Sequence, residues 1–120
     1  MRPTPWLVTA AATVCIAAAG GVLGDPPHAA GNEPPSASRQ RELTKLLRDD
    51  CGSCHGMRLT GGLGPPLTPG ALADKPATSL TATILSGRAG TAMPPWRPFM
   101  NDAEAAWLVT RLQRGDTDAR

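Results

Sequence analysis

Residues 51–55 read Cys51-Gly52-Ser53-Cys54-His55. Two thiols separated by two residues, followed at once by an imidazole, form the Cys-x-x-Cys-His signature of covalent haem attachment. Chemistry dictates the spacing. Thiols so placed reach the two vinyl groups on one edge of a porphyrin and add across them as thioethers. The next side chain then lies under the iron, where an imidazole nitrogen can ligate it. Gly52 and Ser53 are small and let the backbone turn close to a flat ring. Other chemistries use the same residue types. Outside the cytoplasm Cys51 and Cys54 suit a structural disulfide. A thioredoxin-like redox pair needs a βαβ context, which nothing in this sequence suggests. A zinc site needs two further ligands, and the only other histidine is His28. One haem c is the expected cofactor, with His55 as its proximal metal ligand.

The second axial position has four candidates: Met57, Met93, Met100 and His28. Met57 stands two residues after His55 and cannot reach the opposite face of a ring. His28 lies in a Pro-rich stretch where a lone histidine is by default solvated. Met100 directly precedes a helical pattern and suits packing as well as ligation. Met93 comes 38 residues after His55, in a loop stiffened by Pro94 and Pro95, and is the expected ligand. Around it, Trp96 is a candidate for bonding or covering a haem propionate, with packing as its alternative. Arg88 and Arg97 flank the loop and are candidates for propionate pairing, solvated surface charge being the default. Trp107 reads as a core residue.

Three helices must position these groups. Arg39 to Asp50 carries Leu43, Leu46 and Leu47 at i, i+3 and i+4, with Ser38 available as N-cap. Pro76 to Ser86 carries Leu80, Ile84 and Leu85, with Pro76 suited to the first turn and Gly87 to the stop. Asn101 opens the third, with Glu104 three residues on in a capping-box arrangement. Ala105, Leu108, Val109 and Leu112 form its apolar stripe, and Gly115 ends it. Gly/Pro-rich loops fill 56–75 and 87–100. No alternating strand pattern of useful length occurs, so the fold class is all-α.

Composition bounds the rest. The chain has 120 residues, 18% charged and 41% hydrophobic, with a formal net charge of +2, which allows one domain. Charge of both signs is dispersed, so there is no footprint for nucleic acid. Three Trp, one Phe and no Tyr cannot build a large core. Thirteen Gly and thirteen Pro exceed the usual usage of roughly 7% and 5%, so much of the chain is loop. A core this small is marginal without a disulfide, a metal or a hydrophobic insert; a flat apolar macrocycle supplies the insert.

The segment 1–24 reads as a signal peptide: a basic start at Arg2, an uncharged apolar run from Trp6 to Leu23, then a polar break. Cleavage after Ala19 or after Gly24 fits, and an uncleaved anchor is the alternative. Cys15 follows Val14, which argues against lipid attachment. Residues 25–38 are a Pro-rich tether, 39–115 the packed domain and 116–120 a disordered tail. The mature protein is expected in the periplasm, with no membrane attachment after cleavage.

The order of helix, Cys-x-x-Cys-His, Gly-Pro loop, helix, Met-Pro and final helix resembles the class I cytochromes c. The resemblance covers about Arg39 to Arg114. The strings CGSCHGMRLTGGLGPPL and ILSGRAGTAMPPWRPF are similar to those of the small periplasmic cytochromes encoded beside haem-cd-type nitrite reductase, the cytochrome c-55X (NirC) type. The resemblance implies three main helices wrapped around one haem c, held by Cys51 and Cys54 as thioethers and by His55 and Met93 axially. It implies that Pro65 accepts the proximal imidazole's N–H through its carbonyl, adjacent Pro66 leaving a one-residue ambiguity, and that Leu67 contacts the haem. First and last helices are expected to cross. The implied role is one-electron transfer by a monomer, not catalysis. Its implied partners are the haem attachment machinery, an upstream periplasmic electron donor and a haem-cd-type nitrite reductase. Maturation of that reductase's haem d1 is the alternative role. Lys45 and Lys75 are the only lysines, so partner contact is expected to be chiefly apolar around the haem edge.

Overall fold

The computed structural model describes residues 33–117. The segments expected to be a signal peptide, with Cys15, and a tether, with His28, lie outside the described residues up to residue 32, as do the last three residues of the expected tail. Helix α1 spans Ala37–Leu46. It runs without a break into a π-helical turn, Leu47–Cys51, and then into α2, Gly52–His55. The expected end at Asp50 is therefore passed. Helical geometry carries on through the cysteine motif, supported by the Ser53 hydroxyl donating to the Asp50 carbonyl at 2.6 Å. It stops at Gly56, whose φ of +87° no L side chain adopts easily.

The start of α1 also differs. Ser36, not Ser38, is the N-cap, its hydroxyl accepting the Arg39 N–H at 3.3 Å. The helix begins two residues earlier because Pro35 is buried and its carbonyl takes a bond from the Gln40 side chain at 2.8 Å. One short helix inside the 56–75 loop had no periodic signal: α3, Pro69–Leu72, capped by Thr68. Four residues are too few to show a period.

The later helices follow their sequence signals closely. Helix α4 spans Ala77–Ser86, with Pro76 at the cap and Gly87 at φ +67° ending it. Helix α5 spans Asp102–Arg114. Its capping box is reciprocal: the Asn101 side chain accepts the Glu104 N–H at 2.9 Å, and the Glu104 carboxylate accepts the Asn101 N–H at 2.8 Å. Gly115 closes it in the left-handed conformation.

Packing is organised around α5, which meets α1, α3 and α4, most extensively α4. The expected contact of first and last helices is present. Leu43, Leu47, Leu72, Leu85, Ala105, Leu108 and Leu112 are buried in one cluster with Leu59 and Met100. Every stripe residue expected on α5 is buried, while on α1 Leu46 is only partly so. No strand occurs among the described residues, as an all-α fold requires, and no described helix is long and apolar enough to cross a membrane.

A polar junction ties the N-terminus of α1 to that of α5. Arg39 donates through Nε to Glu104 at 2.7 Å, through Nη1 to Glu42 at 2.8 Å and through Nη2 to the Phe99 carbonyl at 2.6 Å. The two carboxylates raise the Arg39 pKa further above its ordinary value, the Glu104 hydrogen bond contributing most. Glu104 itself is buried.

Candidate haem site

Between α2, α4 and the two glycine-proline loops lies a cavity of about 790 Å³. That lies within the roughly 300–1,000 Å³ usual for cofactor sites. Cys51, Cys54, His55 and Met93 all line it, as do Pro65, Leu67 and Trp96. Cys51 and Cys54 are not joined in a disulfide. Burial, with a smaller contribution from the Asp50 charge, pushes the Cys51 thiol up to about 11, so it is protonated at neutral pH.

His55 is held on both sides. Its Nδ1 lies 2.7 Å from the Pro65 carbonyl. A carbonyl only accepts, so Nδ1 carries the proton and Nε2 the free lone pair. The bond is made by Pro65, not Pro66, which removes the one-residue ambiguity. On the ring's face sits Gly64, where a Cβ would come within 2.8 Å of Cε1 and Nδ1. The loop reaches this position by satisfying the open carbonyls at the end of α2. Gly64 N–H donates to Cys54 O at 2.8 Å and Gly61 N–H to His55 O at 2.8 Å. Leu59 anchors the loop in the core despite a φ of +57°, an uncommon conformation for a bulky residue. Gly64→Ala is expected to overpack the imidazole and destabilise the holo-protein by about 1–3 kcal/mol. A denaturant melt followed in the haem bands checks this.

Met93 is held just as firmly by backbone. Arg88 N–H donates to the Met93 carbonyl at 3.1 Å, and Met93 N–H donates to the Thr91 hydroxyl at 3.3 Å. Trp96 and Arg97 N–H groups donate to the carbonyls of Ile84 and Leu85 at 3.1 and 3.2 Å, using acceptors that the last turn of α4 leaves open. Gly87 is needed for more than ending that helix. A Cβ there would come within 2.6–2.7 Å of the Met93–Pro95 backbone.

The remaining sequence candidates have different surroundings. Leu67, Trp96 and Arg88 are on the cavity wall. Arg97 is not; it pairs with Asp102 at 2.9 Å and holds that carboxyl below its ordinary range. Met100 is buried in the core cluster and also lines the cavity, whereas Met57 is 62% exposed and away from it. Trp107 packs against the core with the Arg111 guanidinium 5.0 Å over its ring. Sequence reasoning missed the ring contact of Gly64 and the loop contact of Gly87. The run Gly61-Gly62-Leu63-Gly64 was the available signal, since glycine marks close backbone approach.

Both thiols, an oriented imidazole and a thioether thus open on one cavity with largely apolar walls, the donor set and surroundings that a covalently held haem requires. Residues 38–110 match the family described as cytochrome C oxidase, cbb3-type, subunit III. The chain is 58% identical over 85 residues to cytochrome c55X of Pseudomonas aeruginosa, covering 71% of each protein. It is 51% identical over 85 residues to cytochrome c55X of Paracoccus denitrificans, covering 71% of this chain and 82% of that one. The chain belongs to the cytochrome c55X family of c-type cytochromes. A solved structure of the c-type cytochrome NirC superposes on this cytochrome with a TM-score of 0.68 at 58% identity. The match covers 69% of this chain and 98% of the other. A more distant relative is dihydro-heme d1 dehydrogenase of Pseudomonas aeruginosa. It is 37% identical over 67 residues, which are 56% of this cytochrome and 14% of that protein. Its structure in complex with DHE gives a TM-score of 0.53 at 36% identity, covering 57% and 15% of the two chains.

Proposed function

We propose that this cytochrome is a periplasmic mono-haem carrier that passes single electrons from an upstream donor to a haem-cd-type nitrite reductase. The observation that supports the reading is that His55 and Met93 line the same cavity as the two cysteines, where they would be the side chains to hold the iron of one haem. Haem c bound there supplies a one-electron couple. Cys51 and Cys54 would hold the macrocycle covalently. His55 would hold the iron through Nε2, oriented through its bond to the Pro65 carbonyl, and Met93 through its sulfur. A methionine–histidine pair raises the potential relative to many ligand sets, and with both residues bound the centre would suit electron exchange and not substrate chemistry. Leu67, Leu80 and Ile84 line the cavity and would keep water from the ring. Arg88 and Trp96 are the candidates for meeting the haem propionates. Residues 1–24 as signal peptide, 25–38 as tether, 39–115 as the haem domain, 116–120 as tail, and a monomeric state complete the proposal.

The likeness to dihydro-heme d1 dehydrogenase favours a second reading, in which the same redox centre serves the maturation of the reductase's haem d1. Deleting the gene separates the two. A reductase with full haem d1 content but slow turnover in cells supports the carrier role. A reductase carrying an incompletely oxidised d1 precursor supports the maturation role. Stopped-flow mixing of reduced cytochrome with the purified reductase is expected to reoxidise it in one kinetic phase; absence of reoxidation argues against direct donation.

A further inference from the structure

The segment that follows Met93 is gripped at two points. On one side, Trp96 and Arg97 N–H groups bind the α4 carbonyls of Ile84 and Leu85. On the other, Arg39 donates to the Phe99 carbonyl at 2.6 Å. Between these grips the chain forms a tight knot. Phe99 and Met100 N–H groups donate to the Trp96 carbonyl at 2.9 and 3.2 Å, and the Trp96 and Phe99 rings meet at 5.6 Å. Only Pro94 and Pro95 separate Trp96 from Met93, and two fixed proline φ angles leave that link little freedom. Arg39 is itself aimed by the buried Glu104 at 2.7 Å, whose other oxygen closes the Asn101 capping box. Phe99 is 59% exposed, so its ring alone does not anchor the knot.

We propose that the Arg39–Glu104 pair is a remote positioning clamp that keeps the Met93 loop seated on the cavity wall. This rests on the reading of Met93 as the distal iron ligand. Arg39 lies 54 residues before Met93 and Glu104 lies after it, and neither is on the cavity wall. Its physical content is a charge-assisted hydrogen bond to a main-chain carbonyl, which on loss favours local opening of the segment roughly ten- to hundredfold.

The test uses the oxidised holo-protein and three variants: Arg39→Gln, Glu104→Gln, which retains the capping oxygen, and Glu42→Gln, which removes only Arg39's partner on its own helix. Two readouts are followed in denaturant: the thioether-to-iron charge-transfer band and the hydrogen exchange of individual amides. Arg39→Gln and Glu104→Gln are expected to speed exchange at Trp96, Phe99 and Met100 at least tenfold. The charge-transfer band is expected to disappear at lower denaturant, ahead of global unfolding. The Leu108 and Leu112 amides in α5 should change far less, and Glu42→Gln should resemble the parent. The clamp is overturned if α5 amides accelerate as much as those of the 96–100 segment, or if the segment's amides do not accelerate. If the band is missing from the parent protein or survives Met93→Ala, the ligand assignment falls instead, and amide exchange still decides the clamp.

Discussion

The Cys51→Ser, Cys54→Ser double variant, exported by a strain with working attachment machinery, is expected to emerge colourless and largely unfolded. The reason is the wall of the cavity, which is about 790 Å³ and largely apolar. Without the macrocycle that wall would be wetted, at about 25 cal/mol for each Å² of apolar surface no longer buried. Whole domains are stable by only roughly 5–15 kcal/mol, so a small core tolerates little of that loss. Leu67, Leu80, Ile84 and Trp96 are only partly buried against the core, and without an insert they face water. Far-UV circular dichroism and a thermal melt against the holo-protein check the result. A colourless variant that keeps the holo-protein's melting temperature would show that the polypeptide folds without its insert. A coloured variant would show that attachment does not use these sulfurs.

Replacing Met93 by alanine should alter electron transfer more than any other change outside the Cys-x-x-Cys-His motif. If Met93 holds the iron, removing its thioether would open that position: Met57 is exposed away from the cavity, and Met100 lines the cavity but is packed into the core cluster. The reduction potential is expected to fall by on the order of 0.1 V or more, a part of the roughly 0.8 V that axial ligands command. The charge-transfer band should vanish, and the reduced protein should bind carbon monoxide. Stability should fall less than in the cysteine variant, because the Met93 loop is held chiefly by backbone bonds from Arg88, Trp96 and Arg97. Potentiometric titration and carbon monoxide difference spectra read all three effects. An unchanged potential with no carbon monoxide adduct would assign the sixth position to another side chain.

Taken together, the two variants divide the site into a half that makes the fold and a half that tunes it. Cys51, Cys54 and His55 lie on a continuous helical run from α1, so their insert is built into the packing of the core. Met93 lies on a loop whose geometry depends on Gly87 and on the end of α4. A loop of that kind opens at lower free energy than a core helix, which makes the distal side the natural place for control.

The primary structure by itself determined the chemistry and the main elements. A five-residue motif names its cofactor because the vinyl spacing of a porphyrin admits few alternatives, and Met93 is favoured over Met57 by reach and over His28 and Met100 by context. Helices α4 and α5 were legible since periodicity, capping residues and stop glycines are local signals, each read within a few positions. Only the tertiary structure decided the rest. The Arg39–Glu104 bond spans 65 positions, and no local pattern marks which arginine will meet which acid. Arg97 looked equally suited to the cavity, yet a nearer carboxylate at Asp102 holds it elsewhere. The continuation of α1 through the π turn into His55, and the contact of Gly64 with the imidazole, depend on how a loop folds back over the end of α2. Such contacts arise between chain segments brought together by the core, and their physical basis is proximity that one-dimensional spacing does not encode.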